Sequence, residues 1–229
     1  MIDQRYQRNI PSLSEMDCEL LENKKVCVIG CGGLGGSILE HLARIGVGHI
    51  TAVDGDVFDV SNLNRQLLAT EALIGTPKAA AAAKHIGKIN SLVNVQTVND
   101  FLTEENADAM IEGHDLVIDA LDSPAARIIL AAACRKQDIT LIHGAVSGWN
   151  GQVAVIRPGS RLMENLYQGV EPDPSPSTLS FTPAVTASIE VAEAVKVLCG
   201  KPTQLENNML FFDLLTGDFN LFDITGLQN

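Results

Sequence analysis

The feature that most restricts the fold is an apolar run over residues 26–29 that enters Gly30-x-Gly32-x-x-Gly35 and leaves as a helical pattern through Leu34, Ile38, Leu42 and Ile45. Strand, tight turn and helix in that order open a dinucleotide-type βαβ unit, and the unit assigns each glycine a task. Gly30 takes the sharp turn, Gly32 and Gly33 let backbone N–H groups approach a phosphate, and Gly35 lets the helix lie close to the sheet. A second run at 49–53 ends in Asp54, 24 positions beyond Gly30 and near the spacing of an acid that holds a ribose. A glycine motif by itself is weak. Strand, helix, strand and acid in sequence make it a nucleotide-binding half.

The alternation continues along the chain. Helix is expected over 78–89 with Pro77 at its start, strand over 94–98, a short helix over 104–111, a buried strand over 115–122 ending in acids, and helix over 125–135. Strands follow near 140–146 and 153–156, and the Asn150-Gly151 pair between them is a tight-turn signal that predicts antiparallel pairing there. The fold class is therefore α/β: Rossmann-like, with a mostly parallel central sheet, helices on both faces and antiparallel strands in the C-terminal half. Residues 159–180 keep no apolar period, and Pro172, Pro174 and Pro176 alternate with Asp and Ser, which predicts a long loop. Thr182 and Pro183 are expected to start the next helix as N-cap and first-turn proline, with Gly200 closing it. Runs at 209–214 and 218–223 around Thr216-Gly217 predict a terminal hairpin. No linker divides the chain, so 1–229 reads as one domain: an N-terminal arm (1–24), a nucleotide-binding half (25–146) and a second half (147–229).

Charge and cysteine usage exclude several classes. A formal charge of −12 disfavours nonspecific binding to nucleic acid or to an anionic membrane, so any polyanion must meet local cations. No stretch approaches 18 uninterrupted apolar residues, and Met1 leads into Ile-Asp-Gln-Arg, so a soluble, cytoplasmic protein is expected. Cys18, Cys27, Cys31, Cys134 and Cys199 are odd in number and never form a CxxC pair, which argues against disulfides and against a zinc site. Cys27 and Cys31 read as buried packing.

Local cations do follow the second strand. Asp54-Gly-Asp56 leads to Ser61-Asn62-Leu-Asn64-Arg65-Gln66 and then Gly75-Thr-Pro-Lys78. Arg65 offers a planar fork for phosphate oxygens, and Lys78 places a compact charge at a helix start whose dipole also favours anions. Asp119 and Asp122 close the fourth strand at the carboxyl edge, where open α/β sheets bind ligands. A carboxylate there suits Mg2+, which takes one or two protein carboxylates beside phosphate. Asp119 reads as supporting structure rather than a direct metal ligand.

Arg5-Tyr-Gln-Arg-Asn-Ile10, the glycine turn, Asp54-x-Asp56, Ser61 to Gln66, the Gly-x-Pro-Lys turn and Asp119-Ala-Leu-Asp122 together resemble the ThiF/MoeB/HesA family, bacterial relatives of ubiquitin-activating enzymes. The resemblance spans nearly the whole chain in order. It implies a homodimer that uses ATP and Mg2+ to adenylate the C-terminal carboxylate of a small ubiquitin-like sulfur carrier ending in Gly-Gly, for thiamine, molybdopterin or related sulfur transfer. It also implies roles: Gly30, Gly32, Gly33 and Gly35 around the nucleotide, Asp54 on the ribose, and Asn62, Arg65 and Lys78 on phosphates. Asp56, Ser61, Asn64 and Gln66 would complete that set. Asp122 would hold Mg2+ with Ser123 beside it, Arg8 would act in trans in the partner subunit's site, and 147–229 would bind the carrier, with 159–180 as the crossover loop.

The chain also departs from that pattern. The zinc-binding cysteine pairs of many relatives are absent, and no cysteine lies between Cys134 and Cys199 to serve in the crossover loop. Ser175, Ser177, Thr178 and Ser180 lie there, but a hydroxyl without an adjacent base is a poor nucleophile. The expected product is a free or handed-on acyl-adenylate, with no room after the last strands for a sulfurtransferase domain. His143 reads as a hydrogen-bonded residue at a strand end, with a substrate contact as the alternative, and Trp149 as a packing cap or a contact for the carrier tail. Without the resemblance, Arg5 and Arg8 read as solvated terminal charges. Two rival enzymes share parts of the pattern: a tRNA threonylcarbamoyladenosine dehydratase-like enzyme, through the Asp119 to Ser123 wording, and an NAD-dependent oxidoreductase, through the glycine turn. The oxidoreductase leaves Arg65, Lys78 and Asp122 unexplained. A noncatalytic subunit of an activating pair has no need of the charged set.

Overall fold

The computed structural model describes residues 2–171, 173 and 177–228. After a 3-10 turn at Gln4–Asn9, the elements in order are α1 (Glu15–Glu22), β1 (Lys25–Ile29), α2 (Gly33–Ile45), β2 (His49–Val53), α3 (Lys78–Ile89), β3 (Asn94–Val98), α4 (Ala107–Ile111) and β4 (Leu116–Asp119). They continue with α5 (Pro124–Lys136), β5 (Thr140–Ser147), β6 (Asn150–Ile156), α6 (Leu162–Tyr167), α7 (Phe181–Leu198), β7 (Asn208–Asp213) and β8 (Asp218–Asp223). All eight strands join one sheet in the order β3-β2-β1-β4-β5-β6-β7-β8. The first five run parallel, and the last three add antiparallel.

Strand periodicity divides the core into two layers. In β1, Val26 and Val28 face one cluster with Ile38, Leu42 and Ile86, while Cys27 and Ile29 face another with Met110, Leu130 and Leu162. In β4, Leu116 and Ile118 face the first layer and Val117 the second. Helices therefore cover both faces: α2, α3 and α7 on one side, α4, α5 and α6 on the other. No helix among the described residues is long and apolar enough to cross a membrane.

Several boundaries differ from expectation for identifiable reasons. Asn150 and Gly151 do not form the turn; they pair with Ser147 and Val146 inside the β5–β6 ladder, and the turn falls on Gly148 and Trp149, with Gly148 at φ +55°. Gly151 is needed for close approach instead, since a Cβ there would meet Phe212 Cζ at 2.2 Å and Thr186 Oγ1 at 2.6 Å. Residues 159–180 are not all loop. They contain α6, whose Leu162 and Met163 are buried, too short a run to show a period in sequence. α7 begins at Phe181, so Thr182 lies inside it and its hydroxyl donates to Gly148 O at 2.7 Å. α4 is shorter than expected, and β4 ends at Asp119. The N-terminal arm is folded: Tyr6 is buried, and its hydroxyl accepts from Asn90 Nδ2 at 2.7 Å.

Candidate active site

A cavity of about 530 Å³ opens along the carboxyl edge of the parallel strands. Gly30, Gly32 and Gly33 form its floor after β1, Asp54 and Asp56 follow β2, Arg65, Gln66 and Lys78 come from the β2–α3 connection, and Asp100 and Phe101 follow β3. Asp122, Ser123 and Arg127 follow β4, Val146 and Ser147 close β5, and Asp173, Ser177, Thr178 and Pro183 approach from the C-terminal half. This is where an open α/β sheet leaves a crevice. Gly35 is not on the wall. A Cβ there would lie 1.8 Å from Gly30 O, so its absent side chain lets α2 press against the turn and hold the floor in place.

Asp54 organises the floor. Its Oδ2 accepts the Cys31 N–H at 2.7 Å and its Oδ1 the Asp56 N–H at 2.8 Å, tying the glycine turn to the end of β2. Lys78 is almost fully buried, and its Nζ lies 2.6 Å from Asp56 Oδ2. That hydrogen bond holds the Asp56 carboxyl below its ordinary value. Cys31 is buried, and burial pushes its thiol well up, so it is not a nucleophile beside the cavity. Cys27 is buried and likewise raised, and burial holds the Cys134 thiol at about 12.

Arg65 reaches the wall because its neighbours hold it there. Nη1 donates to Ser61 O at 2.8 Å and to Asn64 Oδ1 at 2.9 Å. Asn62 is buried and accepts the Asp59 N–H at 3.0 Å, closing a 3-10 turn at Val60–Asn62. Asn64 Nδ2 donates to Thr178 O at 3.2 Å, a strut to the C-terminal half. Ser61, Asn62 and Asn64 thus do not line the cavity; their polar groups are spent on the loop that presents Arg65. Gln66 does line it, and its buried Oε1 has no hydrogen-bond partner among the described residues.

Asp122 is exposed on the wall, and Ser123 Oγ caps α5 by accepting the Ala126 N–H at 3.4 Å. Asp119 is fully buried and off the wall, as a supporting residue would be. Its Oδ2 accepts from His143 Nδ1 at 2.7 Å and its Oδ1 from the Leu121 N–H at 2.9 Å. Burial lowers the His143 pKa, which leaves a neutral ring whose Nε2 accepts from the Tyr167 hydroxyl at 3.0 Å. Arg8 is exposed on the Gln4–Asn9 turn and is not part of this wall, whereas Arg5 binds Asn90 and Asp3. The Trp149 and Phe181 ring centroids lie 5.0 Å apart with the planes tilted by 48°, and both residues are about 40% exposed. Ser175, with Pro172, Pro174 and Pro176, lies outside the described residues.

Arg127, Asp100, Phe101 and Tyr167 carry no motif in sequence. Arg127 had one available signal: Ser123-Pro124 starts a helix at the sheet edge, and a residue one turn later can reach back to that edge.

The donor set fits a nucleoside triphosphate with a divalent cation. Backbone at the glycine floor, Gln66, Arg65 and Lys78 line one space, with Asp122 on the same wall. Among the described residues no group of three or more His, Cys, Asp or Glu side chains converges on one point.

Residues 6–229 match the profile described as the ThiF family. The chain is 35% identical to a sulfur carrier protein adenylyltransferase of Thermus thermophilus, covering 94% of this chain and 84% of that protein. It is 33% identical to the SAMP-activating enzyme E1 of Haloferax volcanii, covering 94% and 83%. Its fold is that of Escherichia coli MccB crystallised with ATP, with a TM-score of 0.83 at 20% identity, over 100% of this chain and 73% of that one.

Proposed function

The chain belongs to the ThiF family, and from that premise we propose that it is an adenylyltransferase. It uses ATP to activate the C-terminal Gly-Gly carboxylate of a small ubiquitin-like sulfur carrier. The observation that carries this reading is the convergence of Arg65, Lys78 and Asp122 on the cavity floored by Gly30, Gly32 and Gly33. An oxidoreductase using the same turn has no use for two cations and an exposed carboxylate at that point.

The reaction asks little acid–base chemistry of the protein. A C-terminal carboxyl has a pKa of about 3.5, so it is ionised at neutral pH and needs no general base. Its oxygen attacks the α-phosphorus of ATP, the bond to the bridging oxygen breaks, and pyrophosphate leaves with that electron pair. The barrier is anion meeting anion, and the remedy is positioning with positive charge. The glycine floor would cradle phosphate, Asp54 would receive the ribose, and Arg65 and Lys78 would neutralise phosphate oxygens, Lys78 exchanging part of its bond to Asp56. Gln66 would offer its amide N–H beside Gly32 and Ser123 its hydroxyl. Mg2+, held by Asp122, would supply further charge to the phosphates. Ser61, Asn62 and Asn64 would act through Arg65, and Gly35 through the floor.

Arg8 would act in the partner subunit's site of a cytoplasmic homodimer, consistent with its exposure on the N-terminal turn. Residues 147–229 would receive the carrier, with 159–180 crossing over its tail. The test is ATP–pyrophosphate exchange with Mg2+, run alone, with Gly-Gly-ended carriers, with carriers lacking the last glycine, and with bulk tRNA. Exchange that requires the intact tail sustains the proposal. Exchange that requires tRNA, or none with any carrier despite ATP binding, overturns it.

A further inference from the structure

None of the assignments above uses Arg127, although it is 7% exposed and lines the same cavity. Its place follows from strand order. Asp54 and Asp100 lie at the β2–β3 end, the glycine floor follows β1, and Asp122, Arg127, Val146 and Ser147 form the β4–β5 end. With ribose at Asp54 and phosphates at the floor, a second substrate would reach the α-phosphate from the β4–β5 end. Among the described residues, Arg127 is the wall's cation at that end.

The guanidinium is also held from behind. Nη2 donates to Leu121 O at 2.6 Å, and the group lies 5.0 Å from the centroid of the Tyr167 ring. Nε stands 3.5 Å from Asp119 Oδ2, an ion pair in which Nε makes no hydrogen bond among the described residues. Asp119 is fixed by His143, His143 by the Tyr167 hydroxyl, and that oxygen accepts from Gln152 Nε2 at 2.7 Å. Groups from β4, β5, β6 and α6 thus orient one planar cation before any substrate arrives. Arg65 and Lys78, by contrast, come from the connection after β2. A pre-oriented guanidinium is suited to a carboxylate, which it can bind through two parallel N–H bonds.

We propose that Arg127 binds the incoming C-terminal carboxylate of the carrier tail, and that Tyr167 and His143 are positioning residues for it. The proposal rests on the adenylation reading above and adds the subsite for its second substrate.

The test is ATP–pyrophosphate exchange on the full chain with a Gly-Gly-ended ubiquitin-like carrier as probe, KM being measured separately for ATP and for carrier. Arg127→Gln is expected to raise the carrier KM about tenfold or more and to leave the ATP KM within about twofold, since a charge-assisted contact to one substrate is lost. The preserved ATP KM shows that the variant is folded. Arg127→Lys keeps the charge without the fork and recovers part of the loss. Tyr167→Phe, which deletes the hydroxyl and keeps the ring, raises the carrier KM severalfold and adds little to Arg127→Gln in the double variant, because it acts through the same group. A change confined to the ATP KM, or a carrier KM unmoved in Arg127→Gln, overturns the subsite while adenylation stands. If Arg127→Gln does not fold, Tyr167→Phe decides, and an unmoved carrier KM refutes the proposal. A wild-type chain without carrier-dependent exchange overturns both readings.

Discussion

Lys78 Nζ lies 2.6 Å from Asp56 Oδ2, with the lysine side chain 8% exposed and the aspartate 53% exposed. The ammonium at the start of α3 is therefore partnered before any nucleotide arrives, and burial would otherwise penalise its charge. Asp56→Ala should cost about 1 kcal/mol, the lower end for a lost charge-assisted bond because one partner is half in water. Urea unfolding at neutral pH measures it, and a variant as stable as wild type would show that the pair contributes nothing.

Arg65→Ala should remove about 3 kcal/mol or more of transition-state stabilisation, comparable to losing one strong electrostatic contact. Its effect should appear in carrier-dependent exchange and leave the fold intact, since among the described residues the side chain bonds to its own loop, at Ser61 O and Asn64 Oδ1. An exchange rate within about threefold of wild type would remove Arg65 from the catalytic set.

Acid stability should depend on Asp17. The Ser14 backbone N–H, and then Lys201 at 2.9 Å, hold its carboxyl down at about 2. A depressed acid contributes stability above its ordinary value and loses it as pH falls through the folded value, so the window runs from about pH 4 down to about pH 2. Asp17→Asn should flatten the fall of the urea midpoint across that window. Parallel curves for the two proteins would contradict the assignment.

Glu190 sits on α7, fully buried, and neither carboxyl oxygen has a hydrogen-bond partner among the described residues. Burial, reinforced by the Asp119 charge and opposed by Arg127, pushes its pKa well above the usual carboxylate range. A raised acid binds its proton more tightly in the folded state, so it costs stability increasingly as pH rises above the unfolded value. Glu190→Gln should therefore be more stable than wild type at pH 7, with the gap narrowing toward pH 4. Thermal unfolding across that range checks the sign; a gap that does not change with pH would refute it.

Two glycines should respond in opposite directions to the same change. Gly35→Ala drives a Cβ into Gly30 O and should cost about 2 kcal/mol or more together with ATP binding, as overpacking at the floor of the site. Gly87→Ala, in α3 with nothing within 4 Å of the added carbon, should stabilise by about 0.5–1 kcal/mol through helix propensity. Denaturation with and without ATP separates the two, and equal effects would remove close packing as the reason for Gly35.

Local order determined the first half of the molecule in the sequence itself. The run at 26–29, the glycine turn, Asp54 and the Pro77-Lys78 start each act through neighbours within a few positions, and α3, β2 and β3 fall at the expected residues. Tertiary structure decided what depends on distant partners. Gly151 is in a strand because Phe212 and Thr186 pack over it, not in the turn its dipeptide favours. Asn62 faces inward because Asp59 caps with it, while Arg65, three positions on, reaches the cavity. Arg127 joins the site because β4, β5, β6 and α6 bring Asp119, His143, Gln152 and Tyr167 together around it. Period and spacing encode backbone form over short range, but a side chain's burial and partners are set by contacts between segments far apart in the chain, and those exist only once the sheet has formed.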